Sequence, residues 1–442
     1  MTGVFDSQIR SGVPWYDNRG EVVNAHGACI IEEEGRFYLF GEYKQDRGNS
    51  FAGFSCYSSA DLANWTWEGL ALPPEPTGLH SSDRVGERPK VMKCPSTGVY
   101  VLYAHTDDLR YEDPVIAVAV SSTINGPYTP MGALEIGGEA LRRWDVGTFQ
   151  DEDGAGYLLL HEGDIYRLAS DYLSAESLVS DHVAPGGESP AMFKHHGSYV
   201  LLLSHKTMWE RNDNFYLTAP SVSGPWTHRG LLAAEGTLTH NSQCTFVLRV
   251  DRGDTTSFVY MGDRWSFPMQ RSAATYVWQP LELLEDGGAA LGPFVPSWNL
   301  NGGIEPSQEV ARIWFESNIA GSAVEVSVSG CQFGVVAAAD AYGGYARVSI
   351  LDARTREPQH AATVDLYSLV DDTGLRYWSP GLDVGDYIVR VEVTGLYPEC
   401  FNKAGARFGS LDARVRITGV ASRRSIDDAE ASYGGHSRGN AR

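Results

Sequence analysis

Across its first 300 residues the chain alternates short apolar runs with polar turns, and one unit of that pattern recurs five times. Each unit reads as a hairpin: a polar residue, a short apolar strand, a polar turn, then an apolar strand headed by an aromatic residue. The first opens at His26, turns at Glu32 to Arg36 and returns as Phe37-Tyr38-Leu39-Phe40-Gly41-Glu42. The second opens at Glu87, turns at Pro95 to Gly98 and returns as Tyr100 to His105. The third opens at Asp145, turns at Asp151 to Gly156 and returns as Tyr157 to His161. The fourth opens at Glu188, turns at Lys194 to Gly197 and returns as Tyr199 to His205. The fifth opens at Gln243, turns at Asp251 to Asp254 and returns as Phe258 to Trp265. Three units are followed by an aromatic residue beside a turn and ahead of a glycine, at Trp65 to Gly69, Tyr128 to Gly132 and Trp226 to Gly230, which suits an outer strand.

Strand-only repeats of this length mean radially stacked four-stranded sheets, because one such sheet cannot bury both faces alone and its neighbours cover it. The pattern therefore predicts an all-β chain with a five-bladed β-propeller over residues 1–303. Its blades lie near 24–80, 84–135, 143–183, 186–235 and 240–300. A two-sheet sandwich is the alternative. Residues 1–25 lead into the first blade and help close the ring, and Gly292 to Leu300 reads as the closing strand. After Asn301-Gly302-Gly303, period-two runs at 323–328, 346–351, 387–393 and 413–417 predict an antiparallel β-sandwich domain over 304–421. Residues 422–442 are small and polar and are expected to form a disordered tail.

In a propeller the first strand of each blade lines the central channel. The hairpin-opening residues His26, Glu87, Asp145, Glu188 and Gln243 would then share one end of it. All five are polar and three are carboxylates. Such a ring beside aromatic residues suggests sugar. Glycoside hydrolysis needs a carboxylic acid to protonate the leaving oxygen and, in an inverting enzyme, a second group to activate water on the opposite face. Glu188 is the candidate acid: two glycines before it allow close approach and Ser189-Pro190 stiffens the turn. Asp145, one blade away, supplies a negative field that raises an acid's pKa. Glu87 does the same or holds a hydroxyl, although Arg88 beside it also suggests an ion pair. Trp209 and Trp265 follow two of the hairpins and either stack on a sugar or pack between blades. His26, His105 and His205 are read as facing the channel, but they lie on different blades without ligand spacing. Hydroxyl contacts or satisfied core histidines are expected there rather than a metal.

Composition narrows the picture. With 442 residues, 43% hydrophobic and 11% aromatic, the chain can bury sizeable cores. A formal net charge of −21 argues against nucleic acid, whose phosphates need a basic face. No apolar run reaches the ~18 residues of a membrane helix. The start lacks a basic-then-apolar signal, so a cytoplasmic protein is expected, or a secreted one from which a leader was removed. Cysteines stand at 29, 56, 94, 244, 331 and 400 with no CxxC pair. Cys29, Cys94 and Cys244 read as buried thiols, and Cys331 with Cys400 as a candidate bridge in the second domain. No cofactor is expected, and the partner is an oligosaccharide or polysaccharide chain end.

Six motifs carry a resemblance: Asn24-Ala25-His26-Gly27-Ala28, Phe37 to Glu42, Ser55 to Trp65, Glu87-Arg88-Pro89-Lys90-Val91, Glu188-Ser189-Pro190 with Lys194 to Gly197, and Met261-Gly262-Asp263-Arg264-Trp265. Over about residues 10–300 the chain resembles glycoside hydrolase family 43, within it the exo-β-1,3-galactanase branch. The resemblance implies an inverting, exo-acting enzyme on a five-bladed propeller that releases terminal galactose-type residues. It implies Glu188 as acid, Asp145 as the residue that tunes it, and Glu87 as the branch's second-blade glutamate. The usual first-blade base is missing, as is typical of the branch. Gln243 takes its place, orienting the water or acting as base in an imidic-acid form. Glu42 and Tyr111 match sugar-contact positions. The chain departs from the branch at Lys206, where a small hydroxyl residue is usual, and at Glu162-Gly163, where an amide pair is usual. Both changes fall near the nonreducing-end sugar. A β-galactofuranosidase or an α-L-arabinofuranosidase on the same scaffold, or a noncatalytic sugar-binding propeller, is the alternative.

Overall fold

The computed structural model describes residues 7–303, 310–402 and 405–424. The chain is all-β. Its first 300 residues give five successive antiparallel sheets. The first comprises His26–Glu33, Arg36–Glu42, Phe54–Ser59 and Thr66–Leu72 in chain order. The second comprises Arg84–Lys93, Tyr100–Asp108, Val115–Ser121 and Thr129–Ala133. The third comprises Gly147–Gln150, Gly156–Leu159, Ile165–Leu168 and Ser174–Ser180. Two short strands after the second sheet, Glu135–Ile136 and Glu139–Ala140, extend it at its outer edge. The fourth comprises Gly187–His195, Ser198–His205, Phe215–Ala219 and Thr227–Leu231.

The fifth sheet has only three strands, Gln243–Arg252, Thr255–Arg264 and Thr275–Pro280, where the repeat predicts four. Glu282–Leu283 and Ala289–Ala290 pair with each other instead. One further strand end differs from expectation. The third return strand stops at Leu159, and His161–Gly163 turns as a short 3-10 segment because Glu162 adopts a left-handed φ of 62°. The three aromatic echoes do begin or adjoin fourth strands, at Thr66, Thr129 and Thr227.

The inner strands of these sheets are apolar on both faces, whereas outer strands such as Thr129–Ala133 and Thr227–Leu231 are largely exposed. Ser198–His205 is buried at every position but its ends. That is the mark of a sheet covered on both sides. Five apolar clusters supply the cover. One joins the first and second sheets through Phe40, Cys56 and Leu102, and the next joins the second and third through Val101, Tyr103 and Leu158. Two more join the third to the fourth through Leu159 and Leu201, and the fourth to the fifth through Leu202 and Tyr260. The last joins the fifth back to the first, through Leu248, Trp278, Leu39 and Tyr57. Each fully buried Leu, Val or Phe side chain contributes roughly 1.5–3 kcal/mol. The first strands of neighbouring sheets touch in order, and the fifth touches the first. No single sheet closes on itself. The N-terminal segment sits at the seam: Ile9–Arg10 pairs with Ser297–Trp298, and Gly12 N–H donates to the Tyr276 carbonyl at 2.7 Å.

Beyond residue 310 the pattern changes. Gly385–Val393 alternates buried and part-exposed positions, so only one face of its sheet is covered. One sheet orders Val310–Ser317, Val415–Arg423, Gln332–Ala339 and Asp372–Trp378. The other orders Ala323–Gly330, Gly385–Val393, Tyr345–Asp352 and Pro358–Asp365. They share a cluster around Phe333, Val348, Val391 and Ile417. Ser422 and Arg423 complete a strand rather than begin a tail, because the strand's apolar positions run on through Val420 and Ala421. Residues 425–442 and the 303/304 boundary adjoin or lie outside the described residues. Cys331 Sγ donates to the Arg423 carbonyl at 3.6 Å and Cys400 Sγ to the Phe401 carbonyl at 4.0 Å, so the expected bridge between them is not made.

Candidate active site

Four of the first strands carry the same backbone irregularity just after the hairpin opens. The register slips between His26 and Cys29, between Glu87 and Lys90, between Glu188 and Ala191, and between Cys244 and Phe246. Such bulges re-aim side chains. In three of them the residue after the opener is left-handed: Gly27 at φ 59°, Arg88 at 51° and Ser189 at 56°. Gly27 also has no room for a side chain, since a Cβ would stand 2.3 Å from Glu42 Oε1. Each opener faces a partner on the return strand: His26 faces Glu42, Glu87 faces His105, Glu188 faces Ser204 and Gln243 faces Asp263.

Glu188, Asp145 and Gln243 meet. The link is Arg88, whose role sequence reasoning missed. It does not pair with Glu87. Its Nε donates to Asp145 Oδ1 at 2.7 Å and its Nη2 to Gln243 Oε1 at 2.8 Å, while its backbone N–H donates to Glu42 Oε1 at 2.9 Å. The left-handed turn at Arg88 explains the change, because it sends the guanidinium away from its neighbour in sequence. Trp265 Nε1 also donates to Gln243 Oε1, at 2.8 Å. Both groups are donors only, so Gln243 must present its Nε2 to the other side. There it donates to Glu188 Oε1 at 2.9 Å and to Ser204 Oγ at 3.0 Å. Ser189 N–H donates to Asp145 Oδ2 at 3.0 Å.

These contacts split the two acids. Burial raises Glu188 and the Asp145 charge raises it further, against the pull of Arg88, so its pKa stands at about 8. Burial would also raise Asp145, but Arg88, the Ser189 amide and His105 outweigh it and hold its pKa below the ordinary carboxylate value. Near neutral pH Glu188 carries a proton and Asp145 does not.

Glu87 anchors a second group. It accepts from Tyr111 Oη at 2.6 Å and from Asn49 Nδ2 at 3.0 Å. His105 Nδ1 lies 3.3 Å from its other oxygen, and His105 Nε2 lies 3.3 Å from Asp107. Burial opposes ionisation of Glu87, but His105 and Lys44 overcome it and depress its pKa strongly. The two carboxylates in turn raise His105 to about 9 despite its burial. Lys44 pairs with Glu42, donates to Asn49 Oδ1 at 2.7 Å, and lies 5.2 Å from the Trp209 ring and 5.6 Å from that of Trp265. Lys44 and Asn49 lie in a loop with no strand pattern, which is why the sequence did not mark them.

The remaining candidates separate. His26 is fully buried, with Nδ1 on Asp263 Oδ1 at 3.0 Å, and Asp263 Oδ2 accepts from Gly27 N–H at 3.0 Å. His205 stacks on Phe215 and is exposed, and Gly187 rather than Glu188 is its cross-strand partner. The three histidines form no cluster. Trp209 meets Trp265 edge-on with centroids 5.0 Å apart. Lys206 pairs with Glu162, which also holds His182 at 3.0 Å. A cavity of about 470 Å³ at the other end of the first strands, lined by Phe149, Phe193, Lys93 and Arg249, contains none of the candidate residues.

A carboxylic acid kept protonated beside an ionised carboxylate, within reach of aromatic faces, is what cleavage of an acetal between sugars requires. The arrangement places the protein among the glycoside hydrolases. No family model matches the chain, and no curated protein does. Solved structures do match. The exo-β-1,3-galactanase of Phanerochaete chrysosporium, solved with β-1,3-galactotriose, is 26% identical over 94% of this chain and 100% of its own, with a TM-score of 0.71. A candidate exo-β-1,3-galactanase of Bifidobacterium bifidum is 34% identical over 64% of this chain and 96% of its own, at a TM-score of 0.60. A family 43 β-1,3-galactosidase, solved with galactodeoxynojirimycin, is 27% identical over 64% of this chain and 98% of its own, at a TM-score of 0.59. The chain belongs to glycoside hydrolase family 43, among its exo-β-1,3-galactanase-like members.

Proposed function

We propose that the protein is an inverting, exo-acting glycoside hydrolase that removes terminal galactose from β-1,3-linked chains. Its scaffold is read as a five-bladed β-propeller over 1–303 with a β-sandwich domain over 304–421. The ring of inter-sheet clusters supports the first, and the shared core of the two later sheets supports the second. The observation that carries the function is the bonded chain from Asp145 through Arg88 and Gln243 to Glu188, which sets a carboxyl raised to about 8 beside one held below its ordinary value.

In this reading Glu188 gives its proton to the glycosidic oxygen as the bond to the anomeric carbon breaks. Water adds to that carbon from the opposite face, its surplus proton passes through solvent to restore the Glu188 carboxyl, and the anomeric configuration inverts. Asp145 stays ionised, pinned by Arg88, and keeps Glu188 protonated beforehand. Gln243 orients the water. A tautomer with its proton on Oε1 would set that proton against the Arg88 and Trp265 donors, so Gln243 works as an amide while both bonds hold. An inverting pair needs roughly 6.5–9.5 Å between its two groups. The 2.9 Å contact between Gln243 and Glu188 therefore breaks when a sugar binds, and Glu188 is the partner that moves, because Gln243 is held from two sides. Glu87, Glu42, Tyr111 and His26 line or brace the hydroxyl-binding side, and Trp209 offers its face to the ring while Trp265, which is 2% exposed, packs behind it.

The Lys206–Glu162 pair, standing where the branch has a hydroxyl and an amide, favours a second reading in which the terminal sugar is a furanose. A panel of galactopyranosides, galactofuranosides and arabinofuranosides decides between them, with the product anomer read by NMR. Release of α-galactopyranose from β-1,3-galactan supports the first reading. Turnover of furanosides alone overturns it.

A further inference from the structure

Each of the two tryptophans at the site is followed in the chain by a residue bonded across to the later sheets. Glu210, after Trp209, accepts at Oε2 from the Tyr367 hydroxyl at 2.6 Å. Ser266, after Trp265, donates from Oγ to Asp365 Oδ2 at 2.8 Å, and its carbonyl accepts from the Tyr345 hydroxyl at 3.0 Å. The three partners form one corner. Tyr345 and Asp365 face each other across neighbouring strands, and Tyr367 N–H donates to Asp365 Oδ1 at 2.8 Å. Arg211, which is 4% exposed, reaches over the Tyr367 ring at 5.5 Å. Between the two parts lies a cleft of about 10 Å³, room for one water, bounded by Trp209, Phe267, Tyr367 and Cys400.

Both anchors lie one residue from a side chain that faces the chemistry. Trp265 holds Gln243 by its indole N–H, and Trp209 lies edge-on to Trp265 and parallel to Phe267 at 6.0 Å. The Trp209 loop is also held within itself, by Thr207 Oγ1 to the Glu210 carbonyl at 2.6 Å and Asn212 Nδ2 to the His205 carbonyl at 2.9 Å, and at its two ends by the Lys206–Glu162 pair and by Asp213, which accepts from Gly236 and Leu238 N–H at 2.7 Å.

We propose that the Tyr345–Asp365–Tyr367 corner of the later sheets is a positioning element for the Trp209–Trp265 platform, so that this unit sets substrate affinity without touching the reacting atoms. The proposal rests on the reading of Trp209, with the buried Trp265 packed against it, as the sugar platform. It makes Tyr367 and Asp365 positioning residues, and it gives the second unit a part in the reaction that does not require it to bind carbohydrate itself.

The test is Tyr367→Phe in the full chain, which deletes one hydrogen bond to a carboxylate and leaves the ring under Arg211. KM for a β-1,3-galactooligosaccharide should rise about 10- to 100-fold, the scale on which loss of a hydrogen bond to a charged group acts. Meanwhile kcat should stay within about twofold, and the melting temperature should hold. Glu210→Gln, which keeps an acceptor for Tyr367, should retain near-normal KM. In protein labelled with 5-fluorotryptophan, the fluorine signal assigned to Trp209 through Trp209→Phe should move in Tyr367→Phe. An unmoved Trp209 signal with unchanged KM, in both Tyr367→Phe and Tyr367→Ala, overturns the proposal, as does a kcat that falls in step with melting temperature. If the unaltered protein turns over no galactoside, the functional reading fails by itself, and the fluorine spectrum still decides whether Tyr367 places Trp209.

Discussion

Replacing Asp145 with Asn removes one negative charge beside Glu188, the proposed general acid, and nearly keeps the shape. Glu188 is raised from 4.5 to about 8. At about 1.36 kcal/mol per tenfold change, that rise amounts to roughly 5 kcal/mol against the ionised form. Burial supplies the first share and Asp145 the next. A neighbouring charge is commonly worth about 1–3 pKa units. The substitution also leaves Arg88 without its charged partner at 2.7 Å, and Arg88 already pulls Glu188 down. Both consequences have one sign: the Glu188 pKa falls. An acid works while protonated, so kcat/KM in the unaltered enzyme declines as pH rises through about 8. In Asp145→Asn the same decline should come at least about 1 pH unit lower. The assay is the pH dependence of kcat/KM on a β-1,3-galactooligosaccharide, with melting temperature recorded in parallel. A nitrophenyl galactoside should show a weaker decline, because its leaving group needs little protonation. A folded Asp145→Asn enzyme whose alkaline decline stays at the same pH would refute the assignment of Asp145 as the tuning residue.

Glu188→Gln should cut kcat on the oligosaccharide by about 10²- to 10⁴-fold, and by less on the nitrophenyl glycoside, as steady-state rates would show. A carboxyl whose folded pKa is raised contributes stability that is complete below about 4.5 and lost as pH rises through about 8. Glu188→Gln should therefore melt higher than the unaltered protein at pH 9, while the two differ little at pH 5. Gly27→Ala forces a Cβ to within 2.3 Å of Glu42 in a left-handed residue; a loss of at least about 1–3 kcal/mol should appear in denaturant unfolding. Thiol titration of the denatured protein should count six thiols with or without prior reduction.

The hairpin repeat was legible because a sheet covered on both faces writes its strands as unbroken apolar runs. The aromatic heads Phe37, Tyr100, Tyr157, Tyr199 and Phe258 mark their starts. The fifth sheet's missing fourth strand was not legible, since residues 282–290 keep a strand-like composition but pair locally. In the later sheets four of eight main strands were marked by alternation. Gln332–Ala339 escaped because it is buried almost throughout, so its pattern has no period. At the site, the openers could be found from their register in the repeat. Arg88 could not be assigned correctly, because adjacency to Glu87 suggests a pair that a left-handed backbone forbids. Asp263 was visible within the Met261 to Trp265 motif, but its hold on His26 and Gly27 joins residues more than 230 positions apart.

The slipped register shared by four of the first strands has a consequence for how such a molecule can change. Because the kink belongs to the main chain, the direction in which each opening position presents its side chain is set by the backbone rather than by the residue that stands there. Acid, amide or imidazole can then be exchanged among these sockets by single substitutions, with the surrounding layers left undisturbed. The proposed part of Gln243, an amide working on the fifth sheet, is the kind of reassignment such a scaffold permits.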